Sequence, residues 1–316
     1  GAAARTPTVL HHLDGLIDVM SPCLRIPGRG IVCIEGSHSQ KFLQSYCTSD
    51  IIGWDRVGPI ATAFLTRQGR VLADGMIYPG EKDDQILLEV AEVQKAALMK
   101  HLKLYKMRSA VTIRAASELT VSASGDTMDP RTKALGARAI IPNSLDLEDD
   151  SDYTRRRLTL GIGEGNELTN AIPLQCNFDL LGHICFKKGC YLGQELTARA
   201  FHRGTVRKRI LPIALTSPID KPIDRAIPEI NFSSQLPPPG AKLKRFNAAE
   251  NDTVGDIIAT HGPVGLALFK LDFALGQTSV DSSIILDDSS IHSDLVVRPY
   301  LPEWWPAEFT SPPNGS

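Results

Sequence analysis

The twelve residues Lys188-Gly-Cys-Tyr-Leu-Gly-Gln-Glu-Leu-Thr-Ala-Arg199 place one cysteine between a glycine turn and a run of helix formers. Tyr191 to Phe201 contains Leu, Gln, Glu, Ala and Arg, which favour helix, and Gly204 is suited to stop it. The pattern predicts Cys190 at a helix N-terminus, beside unpaired backbone N–H groups and two residues after Lys188. Both surroundings favour thiolate over thiol. A thiolate binds soft metal or attacks an electrophile. Taken alone, a Gly-Cys pair also fits a small buried residue after a turn.

The elements that must position this string read as follows. Residues 30–114 form a compact α+β unit. Gly30–Ile34 is a short apolar strand, and Ser37-His-Ser-Gln40 is a capping-box pattern opening a helix that turns Phe42, Leu43 and Tyr46 inward. Ala61–Thr66 and Arg70–Tyr78 flank Gly69 as a hairpin, and Gln85–Val90 is a further strand. Ala91–Lys106 is a helix with Val93, Ala97, Leu98 and Leu102 on one stripe, and Ala110–Ile113 closes the unit. The order β-α-β-β-β-α-β is that of a ferredoxin-like sandwich with one extra strand. Residues 115–205 continue with strands at Leu119–Ala123 and Ala137–Ile141, an acidic loop, a helix from Tyr153 and the signature helix. Short strands at Arg209–Leu215, Thr253–Thr260, Pro263–Leu268, Ser283–Leu286 and Leu295–Val297 predict a small β-barrel over 206–301. Residues 217–240 hold six prolines and read as a loop insertion. The tail 302–316 is Pro-rich, with Trp304-Trp305 able to dock onto the body.

At 316 residues and 42% hydrophobic content, the chain is expected to form two or three domains around ordinary cores. No apolar run approaches membrane-spanning length, so no membrane insertion is expected. A net charge of −2 gives no global pull toward nucleic acid. The charge is nevertheless uneven: Lys187 to Arg209 holds seven Lys or Arg and one Glu, while Asp146 to Asp152 holds five acids. The basic stretch is an ordinary solvated face or an anion site for a folate tail or an acidic partner; Arg203, Arg207, Lys208 and Arg209 are its candidate docking cations. Cysteines lie at 23, 33, 47, 176, 185 and 190, with no Cys-x-x-Cys. This spacing excludes a self-contained zinc or four-cysteine box and does not resemble a secreted disulfide framework. The isolated His183 and His202 do not make a metal site. Gly1-Ala-Ala-Ala has no initiator Met, so a targeting segment is not legible here.

The string Lys188-Gly-Cys-Tyr-x-Gly-Gln-Glu with the later Arg199 resembles the signature of the YgfZ-type family related to the aminomethyltransferases (glycine-cleavage T-proteins). Arg25, Gly36–Asp50, Leu65–Arg70 with Asp74, Leu104–Arg108 and Pro173-x-x-x-Asn177 are similar to further blocks of that family. The wording Gln-Glu-Leu-Thr-Ala-Arg, with Arg207-Lys-Arg209 after it, is similar to its mitochondrial iron–sulfur-cluster assembly branch. The resemblance implies an aminomethyltransferase-like folate-binding fold: two ferredoxin-like α+β units, the second built from 1–29 and 115–205, plus the C-terminal barrel. It implies a mitochondrial matrix location and an assembly factor, monomeric when alone. Such a factor supports [4Fe-4S] maturation with an A-type carrier through a shared [2Fe-2S] cluster bound by Cys190. The other signature residues are Lys188, Gly189, Tyr191, Gly193, Gln194, Glu195 and Arg199.

The competing expectation is one-carbon (aminomethyl) transfer on tetrahydrofolate or a folate-binding regulatory protein, with Asp74, Tyr105, Arg108, Gln175 and Asn177 as the folate-like pocket. The catalytic relatives have an acidic pair where this chain has Ala73-Asp74, and the family often has Glu where this chain has Gln175. A carboxylate accepts two bonds from a pterin's donor edge, whereas an amide offers one acceptor oxygen. Both departures weaken the enzymatic expectation.

Overall fold

A computed structural model describes residues 23–216, 236–245, 253–274, 284–286 and 295–306. Contacts divide the chain into two units. The first unit runs to Ser151 and adds Glu164–Pro173 and Leu181–Ala198; the second holds Asp152–Gly163, Leu174–Leu180 and the chain from Arg199 onward.

The first unit is built on β1 (Arg29–Glu35), α1 (Ser39–Gln44), β2 (Ile60–Leu65), β3 (Val71–Pro79), β4 (Gln85–Ala91), α2 (Glu92–Lys106) and β5 (Thr112–Ala115). The strands pair antiparallel in the order β2-β3-β4-β1-β5. Ile31 to Ile34 are all buried, so β1 is covered on both faces, which is why it reads as a continuous apolar run rather than an alternation. Phe42 and Leu43 of α1, Leu98 and Leu102 of α2, and Ile77 and Leu88 of the sheet share one core. Beyond the sheet, β6 (Leu119–Ser122) and β7 (Ala139–Pro142) form a two-stranded ladder.

Two local expectations fail. No capping box forms at α1: the helix starts at Ser39 after His38, with no side-chain cap. Gln40 instead donates to the Ile51 carbonyl at 2.7 Å, a more buried partner than a helix end. On α2 the inward stripe is Gln94, Leu98 and Leu102, while Val93 and Ala97 face solvent. Gln94 holds the inner place because its amide donates to Gly165 O at 2.9 Å and Thr169 Oγ1 at 2.8 Å.

The second unit is a closed barrel of β8 (Lys208–Thr216), β9 (Lys242–Arg245), β10 (Thr253–His261), β11 (Val264–Lys270), β12 (Ile284–Leu286) and β13 (Val296–Pro299). The strand order around it is β10-β11-β8-β13-β12-β9. Ile213, Leu215, Ile257, Phe269, Val297 and Trp305 fill its core. The helix α3 (Tyr153–Thr159) belongs to this unit because the chain after β13 binds it: Tyr300 Oη donates to Thr159 O at 2.9 Å, and Trp304 Nε1 donates to Leu160 O at 2.8 Å. Thus Trp304 and Trp305 do dock. Residues 217–235 of the proline-rich insertion lie outside the described residues.

Candidate functional site

The signature string is held by its own backbone on the chain that follows α1. Cys185 N donates to Thr48 O and Leu192 N to Ser45 O, each at 3.0 Å. Between these two ties, Lys188 turns inward. Its ammonium donates to Gln44 O at 2.7 Å, Cys47 O at 2.9 Å and Ser49 O at 2.7 Å. Gln44 ends α1, so its carbonyl has no partner within the helix and takes the ammonium instead. All three donors of the ammonium are thereby engaged. Tyr191 lies over the charge, its ring centroid 5.2 Å from Nζ. Burial pulls the Lys188 pKa down and pushes the Tyr191 hydroxyl up to about 12.

Gly193 follows at φ +79, and Gly69, in the β2–β3 turn, sits at φ +78. A Cβ on Gly193 would lie 2.3 Å from Thr66 O, and one on Gly69 2.8 Å from Gly193 O. The two turns pack backbone to backbone, which only glycine at both positions allows. By contrast, a Cβ on Gly189 would meet nothing within 4 Å, so packing does not require glycine there. The helix α4 (Gln194–Arg203) begins only after this turn, and Gln194 Oε1 accepts from Tyr191 N at 3.1 Å. Cys190 is therefore not at the helix N-terminus, as the run of helix formers suggested. Gly193 breaks the run, and the Lys188 charge points at carbonyls instead of the thiol. Glu195 and Arg199 are exposed on α4.

All six cysteines are described. Cys33, Cys47 and Cys176 are buried, Cys23 and Cys185 half-buried, and Cys190 alone is exposed. Burial raises the pKa of Cys33 and Cys47. Among the described residues no three His, Cys, Asp or Glu side chains converge as a metal-holding group. Cys190 is thus an exposed thiol outside any such group. His183 is buried, and burial and the nearby Arg131 hold its pKa down at about 3, so it is a neutral core residue.

Asp74 sits in a buried ionic network that the sequence did not reveal. Arg29, Arg131 and Arg138 meet Asp74, Glu89, Asp129 and Glu164, all buried side chains. Glu89 accepts from Arg29 Nε at 2.7 Å, Arg138 Nε at 2.9 Å and Tyr78 Oη at 2.7 Å. Burial acts to raise the Glu89 carboxyl, but Arg138 and Arg29 outweigh it and bring the pKa to about 2. Burial pushes the Asp74 carboxyl up, against the pull of Arg29. Asp74 Oδ1 accepts Gly165 N at 2.7 Å. Charged residues inside apolar strands were the available signal, because a buried charge requires partners.

The other pocket candidates are also engaged or displaced. Tyr105 and Arg108 lie at the C-terminal end of α2, about 16 Å along the axis from Gln94, which binds the Gly165 turn beside Asp74. Tyr105 packs at a tilt against Tyr46 and edge-on against His101, and Arg108 is exposed. In the second unit Asn177, at φ +61, is buried and donates to Ile210 O at 2.8 Å, while Gln175 is half-buried in a short turn. Within the first unit, Asp74 is tied into the ion network while Tyr105 and Arg108 stand at the far end of α2, so these three do not converge on one pocket. Of the docking cations, Arg203 and Arg207 are exposed and Lys208 half-buried. Arg209 is not a docking residue. It is buried, forks onto Asp179 at 2.8 and 2.7 Å and donates to Leu174 O at 2.9 Å.

Residues 207–307 match the model of the CAF17 C-terminal beta-barrel domain. The fold is similar to that of the glycine cleavage system aminomethyltransferase T from Bartonella henselae, with a TM-score of 0.63 at 12% identity, covering 89% of this chain and 85% of that one. At that identity the likeness concerns the fold alone. Sequence relatives are nearer. The mitochondrial iron-sulfur cluster assembly factor IBA57 homolog of Aspergillus fumigatus is 31% identical over 78% of this chain and 70% of its own length. The corresponding protein of Pyricularia oryzae is 34% identical, over 80% and 72%. Mitochondrial IBA57 of Mus musculus is 33% identical over 90% of this chain and 85% of its own length. Joined to the complete signature around Cys190, these relatives show that the chain belongs to the IBA57 family of iron–sulfur cluster assembly factors.

Proposed function

We propose that this chain is a non-catalytic factor of late mitochondrial iron–sulfur cluster assembly, contributing Cys190 to a [2Fe-2S] cluster shared with an A-type carrier on the way to [4Fe-4S] clusters. The observation that carries this reading is the pinned loop: Lys188 is fixed by three carbonyls, while Cys190, two residues on, is the one exposed thiol. A cluster needs four ligands, and this chain brings no multi-ligand group among its described residues, so the cargo is held between two proteins. The names of the mitochondrial relatives support the pathway and compartment. The exposed Arg203 and Arg207 give an acidic carrier face something to approach.

The test is anaerobic mixing with an A-type carrier, iron and sulfide, followed by visible absorption and size-exclusion chromatography. Wild type should give a coloured heterocomplex. Cys190→Ser should keep its melting temperature and lose the sulfur-to-iron absorption. Wild-type absorption in that variant would end the ligand role of Cys190.

A further inference from the structure

The solvent face of α2 carries an apolar stripe, of which the sequence pattern assigned Val93 and Ala97 to the core. Val93 is 68% exposed, Leu104 73% and Met107 87%. Val93, Ala97 and Leu104 follow the spacing i, i+4, i+11, one face of the helix, opposite the buried Gln94, Leu98 and Leu102, and Met107 follows at its C-terminal end with φ +43. The stripe runs about 21 Å. Between Val93 and Arg108 there is no acidic residue. Lys100, Lys103 and Arg108 are exposed along it, and Lys106 is half-buried. None of these four cations pairs with an acid among the described residues. The one nearby acid, Glu92, is already paired with Lys95 at 2.6 Å. The packing of Tyr46, Tyr105 and His101 holds the C-terminal end of the helix in place.

We propose that this face is a peripheral docking surface for an anionic phospholipid bilayer, with α2 lying in the headgroup plane. Val93, Leu104 and Met107 would enter the acyl boundary while Lys100, Lys103 and Arg108 meet phosphates. Apolar stripe plus unopposed cations is the composition of an in-plane helix. Each cation near such a surface adds attraction that fades within a Debye length. Protein interfaces are depleted in Lys, which argues against a protein as the occupant. A nucleic acid would pair the cations but leave the three large apolar side chains in water. No helix of the described residues is long and apolar enough to span a membrane, so the contact is of the kind that lies on the surface.

The experiment is co-sedimentation of the full chain with vesicles of phosphatidylcholine containing phosphatidylglycerol, and with phosphatidylcholine alone. Binding is expected only with the anionic vesicles, weakening as salt rises. Leu104→Glu with Met107→Glu should lower the bound fraction roughly tenfold. Both positions are exposed, so circular dichroism and melting temperature should not change. Lys100→Ala with Lys103→Ala should weaken binding while leaving any residual salt-independent part. Absence of binding to the anionic vesicles, or equal binding by wild type and the Leu104/Met107 variant, would overturn the proposal. Loss of heterocomplex formation with the acidic carrier in that variant, without vesicle binding by wild type, would make the face a protein surface instead. The Cys190→Ser variant should bind vesicles like wild type, which separates this surface from the cluster ligand.

Discussion

At the residue scale, Lys188 decides where Cys190 stands. Its position beside a cysteine suggested a cation that acidifies the thiol, whereas its geometry is that of an anchor. Three carbonyls converge on one ammonium, and the loop between Cys185 and Leu192 is closed around it. Lys188→Met keeps the stem but removes the three donors, which should cost about 1–3 kcal/mol. It should also let Cys47, now buried under the anchored loop, react with an alkylating agent under native conditions. Lys188→Arg should not rescue it, because a planar guanidinium cannot address three carbonyls as a tetrahedral ammonium does. Urea unfolding with mass-spectrometric counting of labelled thiols checks both. An unchanged midpoint and an unlabelled Cys47 would show that water serves the carbonyls equally well. The signature around Cys190 was legible in the sequence. The reason the thiol is exposed was not, because that reason lies in residues 44–49, some 140 positions away along the chain.

At the scale of elements, the buried network ties β1, β3 and β4 to the segment 129–138 and to the turn at Glu164. Three arginines and four carboxylates share it, so the loss of one partner leaves a charge stranded in the interior. Glu89→Gln should therefore destabilise by about 3–5 kcal/mol. The double variant Glu89→Gln, Arg138→Met should cost clearly less than the sum of its singles, since it removes both ends of one pair. Additive losses in urea unfolding would mean that the two residues act separately. The same comparison explains what was legible. Strands β1 to β5 and the barrel strands β8, β10 and β11 were readable because apolar runs between turn residues reflect local burial. The strand β9 was missed, since Lys242-Leu-Lys-Arg245 offers one buried residue among three cations. The α2 face was misassigned because Val93 and Ala97 satisfy a helical period as well as Gln94 does. Only the tertiary partners of Gln94, at Gly165 and Thr169, break the tie. Long-range pairing is the part a local pattern does not contain.

At the scale of the whole molecule, a fold shared with an aminomethyltransferase at 12% identity leaves the site free to differ. Here Asp74 is tied into an internal ion network, and Cys190 is the exposed thiol. That arrangement makes the first unit acid-sensitive in a predictable window. His183 has a folded pKa of about 3, far below the 6.5 of a free imidazole, because burial opposes its charge. Between those values the unfolded chain binds a proton that the folded one refuses, so stability falls as pH drops through 6.5 toward 3. Glu89, at about 2 when folded against 4.5 when free, adds a second loss that begins only near pH 4.5. The melting temperature should therefore decline in two stages on acidification from pH 7, the first owed to His183 together with His101, whose pKa burial also lowers, and the second to the network. His183→Gln should make the decline shallower between pH 6.5 and 5, where Glu89 does not titrate. Calorimetry of both proteins across that range is decisive: parallel curves would remove His183 as a group that takes up the proton.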